Sequence, residues 1–285
     1  MAKKSLLIGA MTNYDFDKVA PWVKSINRTN FEGDKVMITF NTSYETVQKL
    51  KDNDFEVITV GQKDDANGRY VHQSNLPIHV ERFLHIYEYL SSRYKDYEYV
   101  ITTDVKDVIF QSDPVKWLRD NLIGIDKHIV AGSEALRYKD EPWGNENLMQ
   151  TYGAFVYEKF KNNEIFNVGT LAGSPEYIKD LVLSIVLNGI NRPIPIVDQA
   201  VFNVMIQTQP YKDVTFFAKQ HFAWACQAGT VADPAKMDTF RPFLLEAEPE
   251  FKDGYVYTST GDLFCIVHQY DRVPAWKNII EARYK

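Results

Sequence analysis

Short hydrophobic runs alternate with amphipathic stretches through the first hundred residues of the chain. The hydrophobic runs predict four buried strands, at residues 5–11, 34–41, 55–61 and 97–103. Helical spacing of apolar residues and capping residues predict three helices, at residues 15–27, 43–52 and 76–94. Strands that alternate with helices predict an α/β protein with a parallel sheet, whose ligands bind at the carboxyl ends of the strands.

The second half of the chain has a less regular pattern. Hydrophobic runs predict strands within residues 128–135, 164–174 and 262–280. Helices are expected at residues 174–189 and 198–207, the first supported by Ser174 as N-cap and by Pro175 at the first helical position. The segment 137–153 is polar and rich in turn-forming residues. No repeat or change of composition marks a linker, so a single domain over residues 1–285 is predicted.

A cluster of aspartates follows the fourth predicted strand. In the stretch YVITTDVKDVIFQSDP (99–114), the carboxylates are those of Asp104, Asp107 and Asp113. One aspartate is enough to close a turn, whereas two carboxylates at a strand end repel each other unless a positive charge lies between them. The pattern therefore indicates either a site for Mg²⁺ or Mn²⁺ or a pair of turn carboxylates, one of them paired with Lys106.

The composition narrows the class of protein. The 285 residues are enough for one large α/β domain or two small ones, and 45% hydrophobic with 25% charged residues is typical of globular proteins. A net charge of −6 and dispersed basic residues argue against a nucleic-acid partner. Cys226 and Cys265 lack metal-type spacing and favour a reducing compartment. The first apolar run is too short for a signal peptide or a membrane span, so a cytoplasmic protein is expected.

Aromatic residues and the end of the first strand offer further binding candidates. Trp143 and Trp224 are candidate platforms for stacking a sugar, with packing in the core as the alternative. Ala10, Thr12 and Asn13 form a small-residue edge over which a base and a ribose could lie, with an ordinary turn as the alternative. The G-x-G-x-x-G pattern is missing there, which argues against a dinucleotide site.

The acidic motif and the motifs around it resemble a known family. Arg82 lies on the helix before the acidic strand, and three segments follow in order: FNVGTLAGS (166–174), VDQAVFN (197–203) and CIVHQYDRVPAW (265–276). This order resembles the nucleotide-sugar glycosyltransferases of the GT-A fold, whose D-x-D motif binds a metal and the donor. The resemblance covers most of the chain and implies a Rossmann-like α/β fold with a mixed, mostly parallel sheet flanked by helices.

The resemblance implies a role for each matching residue. The residues expected to bind the donor, by default a UDP-sugar, are Ala10, Thr12, Asn13, Arg82, Thr103 and Asp104. The residues expected to hold the cofactor, Mn²⁺ or Mg²⁺, are Asp104, Asp107 and His268. The residues expected to bind a glycan or glycoprotein acceptor are Trp143, Asn167, Gly169, Gln199 and Trp224. Asp198 is either a helix cap or the general base of an inverting transfer.

The resemblance also divides the chain, and it has two departures. Residues 1 to about 115 are expected to bind the nucleotide and residues 116–285 the acceptor. The motif reads D-x-x-D, so Asp107 is in register with the chelating aspartate, and Asp104 either reaches the metal through a bulge or binds ribose or water. The late motif has Asp271 where the family has glycine, and Arg272 or Lys277 would have to supply its phosphate contact.

Within the family, the chain resembles the small enzymes that glycosylate the capsids of large algal viruses, one of them a xylosyltransferase. This resemblance favours xylose as the sugar and inversion at the anomeric carbon.

Three other classes of function compete with a glycosyltransferase. A sugar nucleotidyltransferase would carry a Gly-rich basic loop after the first strand, and a phosphohydrolase would carry an aspartate in place of Lys106. An inactive sugar-binding module would not need two metal ligands at a strand end.

Overall fold

The computed structural model describes residues 3–284. The first two residues and the last one, Met1, Ala2 and Lys285, lie outside the described residues. The strands are β1 (Lys4–Thr12), β2 (Gly33–Phe40), β3 (Glu56–Val60), β4 (Gln62–Asp64), β5 (Arg69–Val71), β6 (Tyr97–Thr103), β7 (Val108–Phe110), β8 (Ile129–Arg137), β9 (Glu164–Gly173), β10 (Thr215–Ala218), β11 (Ala225–Gln227), β12 (Glu250–Lys252), β13 (Tyr255–Tyr257) and β14 (Ile266–His268).

Most of the helices lie between these strands. They are α1 (Phe16–Asn27), α2 (Tyr44–Lys51), α3 (Ile78–Arg93), α4 (Pro114–Leu122), α5 (Pro142–Tyr152), α6 (Ala154–Phe160), α7 (Pro175–Gly189), α8 (Asp198–Ile206), α9 (Tyr211–Val214), α10 (Ala228–Val231), α11 (Met237–Phe240) and α12 (Pro274–Tyr284). Within residues 3–284, none of the helices has both the length and the apolar composition that crossing a membrane requires.

Seven of the strands in residues 3–284 form one central sheet, in the order β10-β8-β9-β6-β1-β2-β3. Neighbouring strands in it run parallel, except that β9 is antiparallel to both β6 and β8. The predicted α/β fold, with a mixed and mostly parallel sheet flanked by helices, is confirmed. Because β1 and β6 are parallel neighbours, the residues that follow each of them lie at the same edge of the sheet.

Alternate residues of the central strands face opposite sides of the sheet, and helices cover both sides. Along β1, Leu6 and Ile8 pack with apolar residues of α3, α7 and α8, whereas Leu7 and Met11 pack with those of α1 and α4. All four side chains are buried. A strand that is covered on both faces is apolar along its whole length, which is why the central strands appear in the sequence as continuous hydrophobic runs.

The helix starts follow the local signals only in part. The side chains of Asp15 and Ser43 each accept a backbone N–H from the first turn, of α1 and α2 respectively. Ser174 stands at the predicted start of α7, but its hydroxyl lies 3.2 Å from His128 Nδ1 and does not cap the helix. The turn-rich segment 137–153 contains α5, whose first turn is capped by the Glu141 carboxylate.

A small second sheet carries the late histidine to the acidic loop. In it, β14 runs antiparallel to β7 and parallel to β11, and His268 is paired with Val108 on one side and Gln227 on the other. Since β7 begins immediately after Asp107, this pairing places His268 beside the acidic loop although the two are far apart in the sequence.

Candidate active site

The acidic loop joins the end of β6 to the start of β7. The backbone N–H of Asp104 donates to the Gly169 carbonyl at 3.0 Å, and the N–H of Gln269 donates to the Asp107 carbonyl at 2.7 Å. Between the two aspartates, Val105 is buried in the core with α1. The loop is therefore anchored at both ends and in the middle, and both carboxylates line the same cavities.

His268 completes a cluster with the two carboxylates, which we call the Asp–Asp–His cluster (Asp104, Asp107 and His268). Its Nε2 lies 3.4 Å from Asp104 Oδ2 and 3.6 Å from Asp107 Oδ1, and one ligand atom from each residue lies within 4.8 Å of the others. On the far side of the ring, Nδ1 lies 2.8 Å from Gln227 Oε1. When Nδ1–H donates to that oxygen, Nε2 presents its lone pair to the cluster. Two carboxylates and an imidazole nitrogen are donors that fit Mn²⁺ or Mg²⁺.

The charges of the cluster shift the pKa of each member. Burial opposes the charged form of Asp104, but the Arg82 guanidinium and His268 outweigh it and hold the pKa of this carboxyl below its usual range. Burial, with the charge of Asp104 added to it, raises the pKa of Asp107. Burial disfavours the charged imidazole, yet the carboxylates of Asp107 and Asp104 raise the pKa of His268 overall. A cation and a proton therefore compete for His268.

Arg82 links the cluster to Asp198, the first residue of α8. Its guanidinium donates from Nη1 to Asp104 Oδ1 and from Nη2 to Asp198 Oδ2, the second at 2.9 Å. The side chains of Arg82 and Asp198 are only 15% and 5% exposed. The predicted donor-binding arginine thus contacts both the metal-type cluster and the candidate general base.

Two adjoining cavities meet at the cluster. The smaller one, about 260 Å³ in volume, is called the β1 cavity and is lined on one side by Ala10, Thr12 and Phe40. The larger one, about 540 Å³, is called the β9 cavity, and its lining includes Glu134, Trp143, Asn167, Asp198 and Gln199. The residues that line both cavities are His79, Arg82, Asp104, Asp107 and Arg272.

Carboxamide side chains of α8 hold β9 where it extends past the end of β6. The pairing of β9 with β6 begins at Thr170, which leaves the backbone of Phe166 and Val168 without a strand on that side. Asn203 accepts the N–H of Phe166 at 2.8 Å and donates to its carbonyl at 2.7 Å. Gln199 Oε1 accepts the N–H of Val168 at 3.0 Å. The two predicted acceptor motifs therefore contact each other, because side-chain amides replace the missing strand.

Glu134, near the end of β8, is a buried carboxylate that the sequence-based prediction missed. Its Oε1 accepts hydrogen bonds from Asn167 Nδ2 at 2.8 Å and Gln199 Nε2 at 2.9 Å, and its Oε2 accepts one from Thr230 Oγ1 at 3.0 Å. All three donors are neutral. Burial raises the pKa of Glu134, and the nearby carboxylate of Glu141 adds to the effect.

Gly169 has a packing role. A Cβ atom at this position would lie 2.7 Å from Asp104 Oδ2 and 2.9 Å from Asn167 Oδ1. The backbone N–H of Gly169 also donates to Asn167 Oδ1 at 2.8 Å. The absence of a side chain therefore lets the Asp104 carboxylate lie against β9, and Gly169 acts on the site through the position of Asp104.

Four predicted binding residues do not line either cavity: Gly169, described above, and Trp224, Thr103 and Asn13. Trp224 is fully buried, donates its indole N–H to a backbone carbonyl at 2.9 Å and packs on Trp117, so it occupies the core and offers no face to a sugar. The Thr103 hydroxyl accepts the indole N–H of Trp22 at 2.8 Å in the core. The Asn13 amide contacts the neighbouring threonine hydroxyl. Trp143, in contrast, is 51% exposed and lines the β9 cavity.

The positions of the candidate residues distinguish between alternatives in two of the sequence motifs. Asp113 caps α4 by accepting the backbone N–H of Val115 at 2.9 Å, whereas Asp104 and Asp107 line the two cavities. Arg272 lines both cavities, whereas Lys277 lines a separate groove beside α1 and α12. Of the two cations that the late motif offers, Arg272 is therefore the one that lies beside the cluster.

Besides Glu134, the sequence-based prediction missed Gln227 and His79. Glu134 lies within the buried strand β8 and Gln227 ends the buried strand β11, and a charged or amide residue in such a buried run is a signal of a paired polar group. His79 lies in the first turn of α3 and lines both cavities, but its local sequence does not distinguish it from the other histidines.

The mixed, mostly parallel sheet flanked by helices is that of a GT-A-like α/β fold, and a comparison with solved structures supports this fold. No protein-family model and no curated protein sequence matches the chain. Among solved structures, the chain is similar to the apo structure of the WbbM bifunctional glycosyltransferase, with a TM-score of 0.58 and 12% identity over 99% of this chain. The chain spans 50% of the length of that structure. The likeness shows a glycosyltransferase fold.

Proposed function

We propose that this chain is a metal-dependent glycosyltransferase that moves a sugar from a UDP-sugar to a hydroxyl group of a glycan or glycoprotein. The observation that carries the proposal is the Asp–Asp–His cluster at the carboxyl end of β6, in a chain whose fold is similar to that of a glycosyltransferase. This edge of a parallel sheet is where ligands of such folds bind, and the cluster offers the donors that Mn²⁺ or Mg²⁺ requires.

The β1 cavity would take the donor. Ala10 leaves room for a flat base beside the end of β1, and Thr12 offers a hydroxyl to the ribose. Arg82 and Arg272 supply positive charge where the cavity meets the cluster. A bound divalent ion would neutralise the diphosphate that leaves with the nucleoside. In this proposal residues 1 to about 115 form the nucleotide-binding half of a single domain.

The β9 cavity would take the acceptor. Trp143 presents a half-exposed ring at its edge, which suits the C–H face of a sugar. The amide groups of Asn167 and Gln199 hydrogen-bond to Glu134 and to the backbone, so these residues would shape the cavity more than bind a ligand. Carboxylates on the acceptor side are what an inverting transfer needs to remove the hydroxyl proton. Asp198, which the sequence singles out for this task, lies there, and so does Glu134.

Thermal unfolding with and without Mn²⁺ tests the donor class. UDP, GDP and CMP are each added to the wild-type protein, and the midpoint temperature is measured by differential scanning fluorimetry. We expect UDP to raise the midpoint only when Mn²⁺ or Mg²⁺ is present, because a ligand that binds only the folded state stabilises it. Stabilisation by GDP in place of UDP would indicate that the donor carries guanine. Stabilisation by none of the nucleotides would contradict the proposal.

The same protein is then incubated with UDP-sugars, and release of UDP is measured. Release from UDP-xylose above release from UDP-glucose would support the sugar that the viral resemblance favours. Binding of UDP without any release, in the presence of metal and glycan acceptors, would support the alternative of an inactive binding module. Formation of a sugar nucleotide from a sugar phosphate and UTP would support a nucleotidyltransferase.

A further inference from the structure

The β9 cavity is lined by two carboxylates whose surroundings differ. Asp198 is engaged with the Arg82 guanidinium at 2.9 Å, and both side chains are buried. A proton placed on Asp198 would cancel its negative charge and so break this buried ion pair, which is costly. Glu134 accepts hydrogen bonds only from an amide of Asn167, an amide of Gln199 and the hydroxyl of Thr230. A carboxylate held by neutral donors can take up a proton without separating charges.

We propose that Glu134 is the general base of the glycosyl transfer and that Asp198 is a positioning residue that holds Arg82. The inference rests on the proposed glycosyltransferase function and assigns the proton-accepting residue within it. Glu134 Oε1 already accepts two hydrogen bonds, whereas Oε2 accepts one, from Thr230, and keeps a free lone pair. Because Glu134 lines the same cavity as the Asp–Asp–His cluster, an acceptor hydroxyl bound there can approach Oε2.

The step is a displacement with proton transfer to Glu134. The hydroxyl oxygen of the acceptor forms a bond to the anomeric carbon, and its proton passes to Glu134 Oε2. The bond between that carbon and the diphosphate oxygen breaks, and the electron pair leaves with the nucleoside diphosphate. Glu134 returns the proton to solvent before the next turnover, so no oxidant or other reactant is needed.

The groups around Glu134 support this role. Burial raises the pKa of Glu134, the Glu141 carboxylate raises it further and His268 lowers it. Tyr138 also faces the carboxylate, and Asp198 and Lys236 line the same cavity. A base whose pKa lies closer to the working pH accepts a proton more effectively than an ordinary surface glutamate.

The test uses Glu134→Gln, because glutamine keeps the hydrogen bonds. Its carbonyl oxygen can accept from Asn167 and Gln199, and its amide can donate to the Thr230 hydroxyl. Release of UDP from a panel of UDP-sugars, with Mn²⁺ and with water as the acceptor hydroxyl, is measured as a function of pH. Mn²⁺ is kept saturating at every pH, so that competition between protons and metal at His268 does not limit turnover. Under that condition we expect turnover to fall about 10²-fold or more and its decline at low pH to disappear, while the KM of the donor changes little.

Two variants serve as comparisons. Asp198→Asn is expected to raise the donor KM and to keep the decline of turnover at low pH. Glu246→Gln alters another partly buried carboxylate that accepts a backbone N–H, from Gln220 at 2.6 Å, and it lines neither cavity. Its turnover should equal that of the wild type.

Stability gives a readout that does not depend on turnover or metal. The pKa of Glu134 is raised in the folded state, so its contribution to stability is present below the usual glutamate pKa of about 4.3 and is lost as the pH rises through the folded-state value. Glutamine does not ionise, so the Glu134→Gln variant does not lose stability in this way as the pH rises. The midpoint temperature of the metal-free Glu134→Gln variant should therefore rise relative to that of the wild type as the pH increases above the usual glutamate pKa of about 4.3.

The outcomes separate the inference from the function on which it rests. Wild-type turnover in Glu134→Gln, or loss of the low-pH decline in Asp198→Asn instead, would overturn the assignment of Glu134 while the transferase function stands. A midpoint difference that does not change with pH would also count against it. Failure of the wild type to bind any nucleoside diphosphate would contradict the proposed function itself.

Discussion

Two groups of carboxylates lie in one site and are stabilised in different ways. Asp104 and Asp198 share the Arg82 guanidinium, whereas Glu134 is held by two amides and a hydroxyl. A cation keeps a carboxylate ionised, while neutral donors hold it in place and leave it able to take a proton. The pKa directions agree, lowered for Asp104 and raised for Glu134. In the proposed mechanism, the surroundings of each carboxylate, more than its residue type, would decide whether it binds a ligand or accepts a proton.

The largest effect is expected at the metal-type cluster. Asp107→Ala should abolish both turnover and the Mn²⁺-dependent binding of UDP, because it removes a charged ligand from the site. Calorimetry of Mn²⁺ and UDP binding and circular dichroism of the fold provide the measurement. Asp113→Ala is the matched control in the same acidic stretch, since it removes a helix cap, costs about 1 kcal/mol of stability and leaves binding unchanged. Near-wild-type activity of Asp107→Ala with Mn²⁺ would rule out the metal site.

An intermediate effect is expected at the histidine and its support. His268→Ala should weaken Mn²⁺ binding roughly 10–100-fold, and Gln227→Ala should weaken it less, because Gln227 only orients the ring. The pKa of His268 is raised, so protons displace the metal, and Mn²⁺ affinity should fall as the pH drops through that value. His268→Ala should flatten this dependence in calorimetry, and His221→Ala, at the surface, should not. Unchanged affinity in a folded His268→Ala would return this residue to a structural role.

The smallest effect separates the two groups of carboxylates directly. Asp198→Asn removes the charge that holds Arg82, and we expect the donor KM to rise about tenfold, equivalent to ~1.4 kcal/mol. Steady-state kinetics with the donor checks this. A fall of about 10²-fold or more in turnover with normal donor binding would instead make Asp198 the base. NMR of the first-formed product gives the stereochemistry, and an α-linkage from an α-donor would contradict inversion.

Local sequence signals predicted most strands and helices of the α/β fold, because such signals act within a few residues. The apolar runs of β1 and β6 and the caps of α1 and α2 are examples. The segment that forms α5 was missed, since its buried face consists mainly of Gly144, Asn147 and Thr151 and carries little apolar periodicity. Its helix depends on a Glu141 cap and on contacts from elsewhere in the chain.

Those residues of the candidate site that follow from the order of motifs along the chain could be predicted. Those whose role depends on contacts between distant segments could not. Asp107 and His268 were found from the order of motifs, and the pairing of β7 with β14 explains why they meet. Glu134 could not be assigned a role, because its three hydrogen-bond donors come from β9, α8 and α10. Trp224 was wrongly predicted to be a sugar platform for the same reason, since the residues that bury it are distant in sequence.

The contact between Gly169 and Asp104 has a consequence for how this sequence can vary. A methyl group at position 169 would lie 2.7 Å from the Asp104 carboxylate, so the side chains at the two positions compete for one volume. Natural variation should therefore treat them as a pair, with aspartate at 104 only where 169 has no side chain. A lineage that gained a side chain at 169 would have to shorten or move residue 104 in the same step. Covariation of these two positions would then mark which descendants of the fold still keep a carboxylate at the end of β6.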